Sequence, residues 1–179
     1  MVRTDMRELF VLDKKNYDPN GSVGRRPSVR GIILKCGKIA MMHSRKYDYY
    51  KLPGGGIEQG ETLEETLIRE VREESGLTVK PETIKEFGYV RRIEKGRFED
   101  IFVQDNYYFI CEAEDTIMEQ ELDDYEAEEQ FTLEFVSIDH AVNVNATSNH
   151  LEKGDIVTFQ GMIERENRVL KMLEEEVLQ

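Results

Sequence analysis

Glu70, Glu73 and Glu74 stand at i, i+3 and i+4, so a helix through them carries three carboxylates on one turn. They belong to "GGIEQGETLEETLIREVREESGL", residues 55–77, where seven glutamates but only two arginines fall between Glu58 and Glu74. Each like-charged pair at this spacing costs about 0.2–0.5 kcal/mol on an exposed helix. A solvated acidic face is the ordinary explanation of such a cluster, and Arg69, four residues before Glu73, offers a structural ion pair. Just upstream, "KLPGGG" places Pro53 and the glycines Gly54, Gly55 and Gly56 at the end of an apolar run. Glycine-rich backbone belongs where a chain turns sharply or passes close to a ligand. Carboxylates at a strand–loop–helix junction suit a hard divalent cation, because Mg²⁺ takes oxygen ligands and bridges protein carboxylates to substrate phosphates. Such a cation would reverse the sign of the repulsion. It would also lower the pKa of a bound water while a free carboxylate removes the remaining proton, the chemistry that phosphoryl anhydride hydrolysis requires.

Positioning these residues takes a helix with fixed ends. Thr62 followed three residues later by Glu65 is a capping box, and Gly76 stands where a left-handed residue closes a helix, so the pattern predicts a helix over 63–75. Leu63, Leu67 and Val71, with Ile68 beside them, form its apolar stripe and leave the charge on the opposite side. Around it, residues 7–13, 29–35, 38–44, 49–52, 83–94, 103–114 and 131–138 have strand character, with a tight hairpin at Cys36 and Gly37. A second helix is expected from about 160 to 177, with Ile163, Leu170, Leu173 and Val177 near one face, and a shorter one near Asp139. Strands outnumber helices without strict alternation, which predicts an α+β layered domain and not a doubly wound parallel sheet. The turn-rich stretch 14–28 divides the chain into a strand and flexible arm, 1–28, and a main domain, 29–179.

With 37 acids against 24 bases, the formal net charge is −13, which argues against nucleic acid or an anionic membrane as partner. An anionic substrate would need cations brought to it. Cys36 and Cys111 lie in apolar runs without zinc or disulfide spacing and are expected to be buried thiols. No apolar run reaches the roughly 18–20 residues of a membrane span, so a reducing cytoplasm is the simplest location. His43, His140 and His150 have no metal-site spacing, and no Ser or Cys sits in a nucleophile elbow, which favours direct attack by water.

From Gly55 the spacing reads G-x5-E-x7-R-E-U-x-E-E-x-G-U, where U is a bulky apolar residue. Gly55, Glu61, Arg69, Glu70, Val71, Glu73, Glu74, Gly76 and Leu77 fill every fixed position. This resembles the Nudix hydrolase signature without substitution. The resemblance implies an α/β/α sandwich around a mixed β-sheet and hydrolysis of a nucleoside diphosphate linked to another group, with Mg²⁺ or Mn²⁺ as cofactor. It makes Glu70, Glu73 and Glu74 metal ligands, Arg69 the arginine that orients a carboxylate, and Glu61 and Gly55 residues that shape the site. Together Glu61, Arg69, Glu70, Glu73 and Glu74 are the candidate catalytic set.

In many members of that family a further acid comes from a later loop, and here Glu119, Glu121, Glu126, Glu128 and Glu129, all in "EQELDDYEAEE", are candidates. Markers of ADP-ribose, dinucleoside polyphosphate and NADH hydrolases are missing. A nucleoside triphosphate, an oxidised one included, is the leading substrate by elimination. ADP-ribose or another nucleotide sugar, or a non-catalytic nucleotide sensor, are the alternatives. Gly54, Gly55, Gly56, Arg45 and Lys51 are the candidate substrate contacts, with Lys46, Arg91, Arg92, Arg25 and Arg26 as further cations. Tyr47, Tyr49 and Tyr50 either stack on a base or pack in the core. The late helix packs on the domain or serves a homodimer contact.

Overall fold

The computed structural model describes residues 5–147 and 156–177, in the second stretch with side chains from 159 onward. His150 lies outside the described residues. In chain order the elements are β1 (Glu8–Asp13), β2 (Val23–Arg25), β3 (Ser28–Lys35), β4 (Lys38–Ser44), β5 (Tyr49–Lys51), α1 (Leu63–Ser75), β6 (Leu77–Val79), β7 (Lys85–Glu94), β8 (Ile101–Cys111), β9 (Ala113–Ile117), α2 (Asp124–Glu128), β10 (Phe131–Val136), α3 (Ile138–Thr147) and α4 (Ile156–Val177).

The main sheet runs β1-β7-β8-β3-β4-β10, with β2 beside β8 and β5 beside β4. It is mixed: β1 lies parallel to β7, and both β2 and β3 parallel to β8, while the other pairs are antiparallel. β6 and β9 form a separate antiparallel pair. On one face α1 covers Val29, Ile33, Ala40, Tyr107 and Phe109 with Leu67 and Val71, its predicted stripe. On the other, α3 and α4 bury Ile32, Met41, Val90 and Tyr108 under Ala141, Val169, Leu170 and Leu173. The result is the expected α/β/α sandwich, each helix giving its apolar side to the sheet.

One irregularity creates the site. β3 and β4 pair only at the base of their hairpin, through Leu34 with Ile39 and Lys35 with Lys38. They then diverge, and β5 takes over the edge of β4 that β3 has left. The glycine loop takes over the matching edge of β3: Val29 N–H donates to Gly55 O at 2.9 Å and Gly31 N–H to Pro53 O at 2.8 Å. Backbone groups vacated by one strand are thus satisfied by the next segment of chain, which brings residues 53–57 across the top of the sheet.

The hairpin accounts for a departure from the sequence reading. Cys36 and Gly37 both have positive φ, 51° and 73°, as a two-residue hairpin turn demands, and this places Cys36 at the exposed tip. Only Cys111 is buried, and burial pushes its thiol up to about 12. The strand expected over 103–114 splits: β8 ends at Cys111 and β9 turns away to meet β6. Val177, the last member of the α4 stripe, is exposed, whereas Ile163, Leu170 and Leu173 are buried. No described helix is long and apolar enough to cross a membrane.

Candidate functional site

Helix α1 begins and ends where its caps dictate. Thr62 Oγ1 accepts from the Glu65 N–H, and the Glu65 carboxylate accepts from the Thr62 N–H at 2.8 Å. At the other end Gly76, with φ of 76°, donates its N–H to Arg72 O at 3.0 Å. The caps set its length, and the docked Leu67 and Val71 stripe sets the rotation that brings Glu70 and Glu74 to the glycine loop.

Glu74 is not on a solvated face: its side chain is 1% exposed. It accepts from the Gly54 N–H at 2.7 Å and is ion-paired with the Lys51 ammonium. Burial works against the charge of Lys51, but the Glu74 carboxylate and its neighbours more than compensate, and the lysine stays protonated well above its ordinary range. Glu70 reaches the loop one residue further on, and a Cβ at Gly55 would collide with its carboxylate. At Gly54, φ is 138° and a Cβ would collide with the Val29 carbonyl. Gly54 is therefore required by backbone, and a side chain at Gly55 would displace the Glu70 carboxylate.

Arg69 organises the remaining acids. Its Nε and Nη2 donate to Glu61 at 2.6 and 2.8 Å, its Nη1 to Glu70 at 2.8 Å and to Glu73 at 3.2 Å, and Nη2 also to Gly56 O at 3.2 Å. Hydrogen bonding from Arg69 holds the Glu61 carboxyl down at about 2. Burial instead pushes Glu70 up, against the pull of Arg69 and Arg30. Glu70 and Glu73 thus share one guanidinium nitrogen, and like charges on one turn become a held pair.

Residues 24–157, well over half of the chain, match the family model described as NUDIX domain. The chain belongs to the NUDIX family. An ADP-ribose pyrophosphatase of Methanocaldococcus jannaschii is 40% identical over 60 residues, a match spanning 32% of this chain and 36% of that protein. The MutT protein structure from Bacillus halodurans aligns with a TM-score of 0.54 at 19% identity, covering 79% of this chain and 84% of that one. A NUDIX hydrolase structure from Nitrosomonas europaea aligns at 0.55 and 15% identity, covering 82% and 90%. At these identities the two structures speak for the fold.

In this NUDIX domain the glycine loop forms one wall of a cleft of about 430 Å³. Glu70 of α1 and Tyr125 and Glu126 of α2 line it, together with Arg26, Ser28, Arg30, Phe102 and Gln104. Of the five later acids named as candidates, Glu126 is the one that lines the cleft; it is 3.5 Å from Lys51 Nζ. Burial, then the neighbouring Glu74 carboxylate, push the Glu126 carboxyl up. Its capping box with Asp123 fixes it at the start of α2. Glu128 is exposed and bound to Lys46, Glu121 pairs with Arg72, and Glu129 is buried under Tyr49 and Ser44.

The other candidates distribute unevenly. Gly54, Gly55 and Gly56 line the cleft, whereas Arg45 is exposed in the β4–β5 turn and is not a lining residue. Lys51 is directed at Glu74, Glu126 and the Tyr125 hydroxyl. Arg91 pairs with Asp105 at 2.7 Å, and Tyr49 and Tyr50 are core residues. Arg26 does line the cleft, at the end of the amino-terminal arm. Arg30, Phe102, Gln104 and Tyr125 were not singled out by sequence. Alternation places Arg30 on one face of β3 and Phe102 and Gln104 on one face of β8, but only the pairing of β8 with β2 and then β3 brings them to one cleft, and Tyr125 arrives from α2.

Proposed function

We propose that this NUDIX chain is a divalent-metal-dependent pyrophosphohydrolase, in which water attacks a phosphorus of a nucleotide diphosphate linkage and the anhydride bond breaks. The observation that carries this reading is that one cleft is lined by the glycine loop, by Glu70 of the Arg69-bound carboxylates and by Glu126, which shares Lys51 with Glu74. The donor set is made of hard carboxylate oxygens, which fits Mg²⁺ or Mn²⁺. Among the described residues no group of three or more acidic, histidine or cysteine side chains forms a ready metal cage. The reason is local: Arg69 and Lys51 hold oxygens that a metal would share. Burial, before any neighbouring acid, raises the carboxyls of Glu70 and Glu126.

Glu70, Glu73 and Glu74 are the residues that would hold the metal, with Glu61 and Arg69 fixing the first two and Lys51 the third. When bound, the metal supplies charge neutralisation at the phosphoryl oxygens and a more acidic water. Glu126 takes the proton of the attacking water, since a carboxyl raised by burial is a stronger base than an ordinary one. Arg30 and Arg26 grip phosphoryl oxygens, and Gly54 to Gly56 admit the phosphate chain against backbone. A nucleoside triphosphate, oxidised forms included, is the leading substrate; ADP-ribose is the second reading, favoured by the relative from Methanocaldococcus jannaschii.

The test is a panel of nucleoside triphosphates, 8-oxo forms, ADP-ribose and nucleotide sugars with Mg²⁺ or Mn²⁺, products identified by mass. Release of nucleoside monophosphate and pyrophosphate from a triphosphate, abolished by chelator, is expected. Glu73→Gln should keep the fold and lower kcat by about 100-fold or more. Nucleotide binding without any cleavage would make the protein a sensor instead.

A further inference from the structure

Behind Arg30 the protein holds more positive charge than the grip of Arg30 and Arg26 on a diphosphate requires. Arg30 of β3, Arg92 of β7 and Arg165 of α4 meet on the sheet face that α4 covers. The side chains of Arg92 and Arg165 are only 5% and 2% exposed. Glu94 pairs with Arg92 at 3.3 Å and Glu166 with Arg165 at 2.8 Å. Arg30 has no carboxylate at ion-pair distance among the described residues; its Nη1 donates to Gly54 O. At ion-pair distance the three guanidinium groups meet two carboxylates, and Glu70, the further acid that Arg30 acts on, is already held by Arg69. The Nε of each arginine and the Tyr108 hydroxyl, all buried, have no hydrogen-bond partner among the described residues.

This cluster is continuous with the cleft. Arg165 Nη1 donates to Asn106 at 2.6 Å and to Gln104 at 3.4 Å, and Gln104 is a lining residue. The Arg92 guanidinium lies 5.7 Å from the ring of Phe102, also in the lining. Arg30 lines the cleft itself and acts in both directions: it opposes the burial that raises Glu70, and after burial and Arg165 it disfavours charge on Arg92.

Arg30, half-buried in the cleft lining, has no ion pair at contact distance among the described residues, and the buried donors behind it lack acceptors; one acceptor-rich anion would satisfy both. We infer that Arg30, with Arg92 and Arg165 behind it, forms an oxyanion subsite for a phosphoryl group of the substrate other than the one cleaved at the Glu70 end. A tetrahedral phosphoryl accepts from several directions at once, whereas one guanidinium fork already satisfies a planar carboxylate. The substrate class is a nucleotide with an additional phosphoryl, either the terminal group of a triphosphate or a separate phosphate ester. ADP-ribose and neutral nucleotide sugars, whose only phosphoryls are those of the scissile diphosphate, leave the subsite empty. The inference rests on the pyrophosphohydrolase reading for its substrate, but not for its binding test.

The binding test titrates inorganic tripolyphosphate calorimetrically into the metal-free protein in EDTA. Wild type should bind saturably, Arg30→Met and Arg92→Gln at least tenfold more weakly, and Arg92→Lys near wild type. Lys38→Met, at the exposed start of β4, is the control and should bind as wild type. Absence of saturable binding, unchanged affinity in Arg30→Met, or an equal loss in Lys38→Met overturns the subsite. Arg30 lines the cleft, so Arg30→Met decides the matter even where Arg92→Gln fails to fold. With Mg²⁺, the ratio of kcat/KM for a nucleoside triphosphate over ADP-ribose should fall at least tenfold in Arg30→Met. An equal loss on both substrates removes the subsite and leaves the hydrolase; arginine-dependent binding with no hydrolysis of any nucleotide does the reverse. A nucleoside diphosphate sugar carrying an extra phosphate ester separates the two phosphoryl sources: preference for it over the triphosphate assigns the subsite to an ester.

Discussion

On the α1 side of the cleft Glu61, Glu70 and Glu73 surround Arg69, and Glu74 and Glu126 surround Lys51; on the α4 side three arginines meet Glu94 and Glu166. The first region keeps an excess of negative charge and the second an excess of positive charge, with Arg30 and the glycine loop between them. The difference is one of origin as well as sign. Four of the five acids on the first side lie within residues 61–74, while the three arginines come from three elements separated by up to 135 positions, Arg30 to Arg165. A bipolar cleft of this kind suits a ligand that arrives with both a metal cation and an extended phosphate chain.

The comparison implies that removing a cation is most damaging where carboxylates are in excess and buried. Lys51→Met should show the largest effect, a loss of about 3–5 kcal/mol, because it leaves Glu74 buried with Glu126 and no cation between them. Urea unfolding measures it. A loss under about 1 kcal/mol would mean that Glu74 sheds its charge without penalty, and the α1 side would no longer need a matched cation.

Glu61→Gln comes next, with a loss of about 1.5–3 kcal/mol at neutral pH, the range for hydrogen bonds to charged groups. Arg69 depresses the Glu61 carboxyl from 4.5 to about 2. A depressed acid stabilises the fold fully above its unfolded pKa and loses that contribution as pH falls through the folded one. The gap between wild type and Glu61→Gln should therefore be constant above pH about 4.5 and close as pH approaches about 2. A gap that widens in acid would contradict the Arg69 assignment.

These contrasts show what the sequence could and could not reveal. The bounds of α1 were legible because Thr62, Glu65 and Gly76 act within one turn of their own positions. The same holds for the Cys36–Gly37 turn, although its geometry was also what exposed Cys36. The acids of α1 were legible as a cluster, but the source of their tolerance was not. A metal was the expected reconciling charge; Arg69 and Lys51 already supply part of it, and Lys51 does so from β5 across a loop. Nothing local separates Glu126 from the other four candidate acids of its stretch, because its burial at the start of α2 depends on the approach of Glu74 and Lys51 from distant segments. Arg30, Phe102 and Gln104 read as ordinary strand residues, since the parallel pairing of β8 with β2 and β3 leaves no local signature.

The smallest effect is expected on the basic side and sharpens the contrast most. Arg30→Met removes a donor to the Gly54 carbonyl, a loss of about 0.5–1.5 kcal/mol for an ordinary hydrogen bond. It also removes the surplus cation and one unpartnered buried Nε, which offsets that loss. The net change in free-protein stability should therefore stay within about 1 kcal/mol by urea unfolding, several-fold below Lys51→Met. Tripolyphosphate should then stabilise the wild type and not the variant, because a ligand raises stability only through a site that the folded state retains. If Arg30→Met instead unfolds the protein as severely as Lys51→Met, the guanidinium is a structural tie for the glycine loop, and the excess charge on the α4 side belongs to the fold.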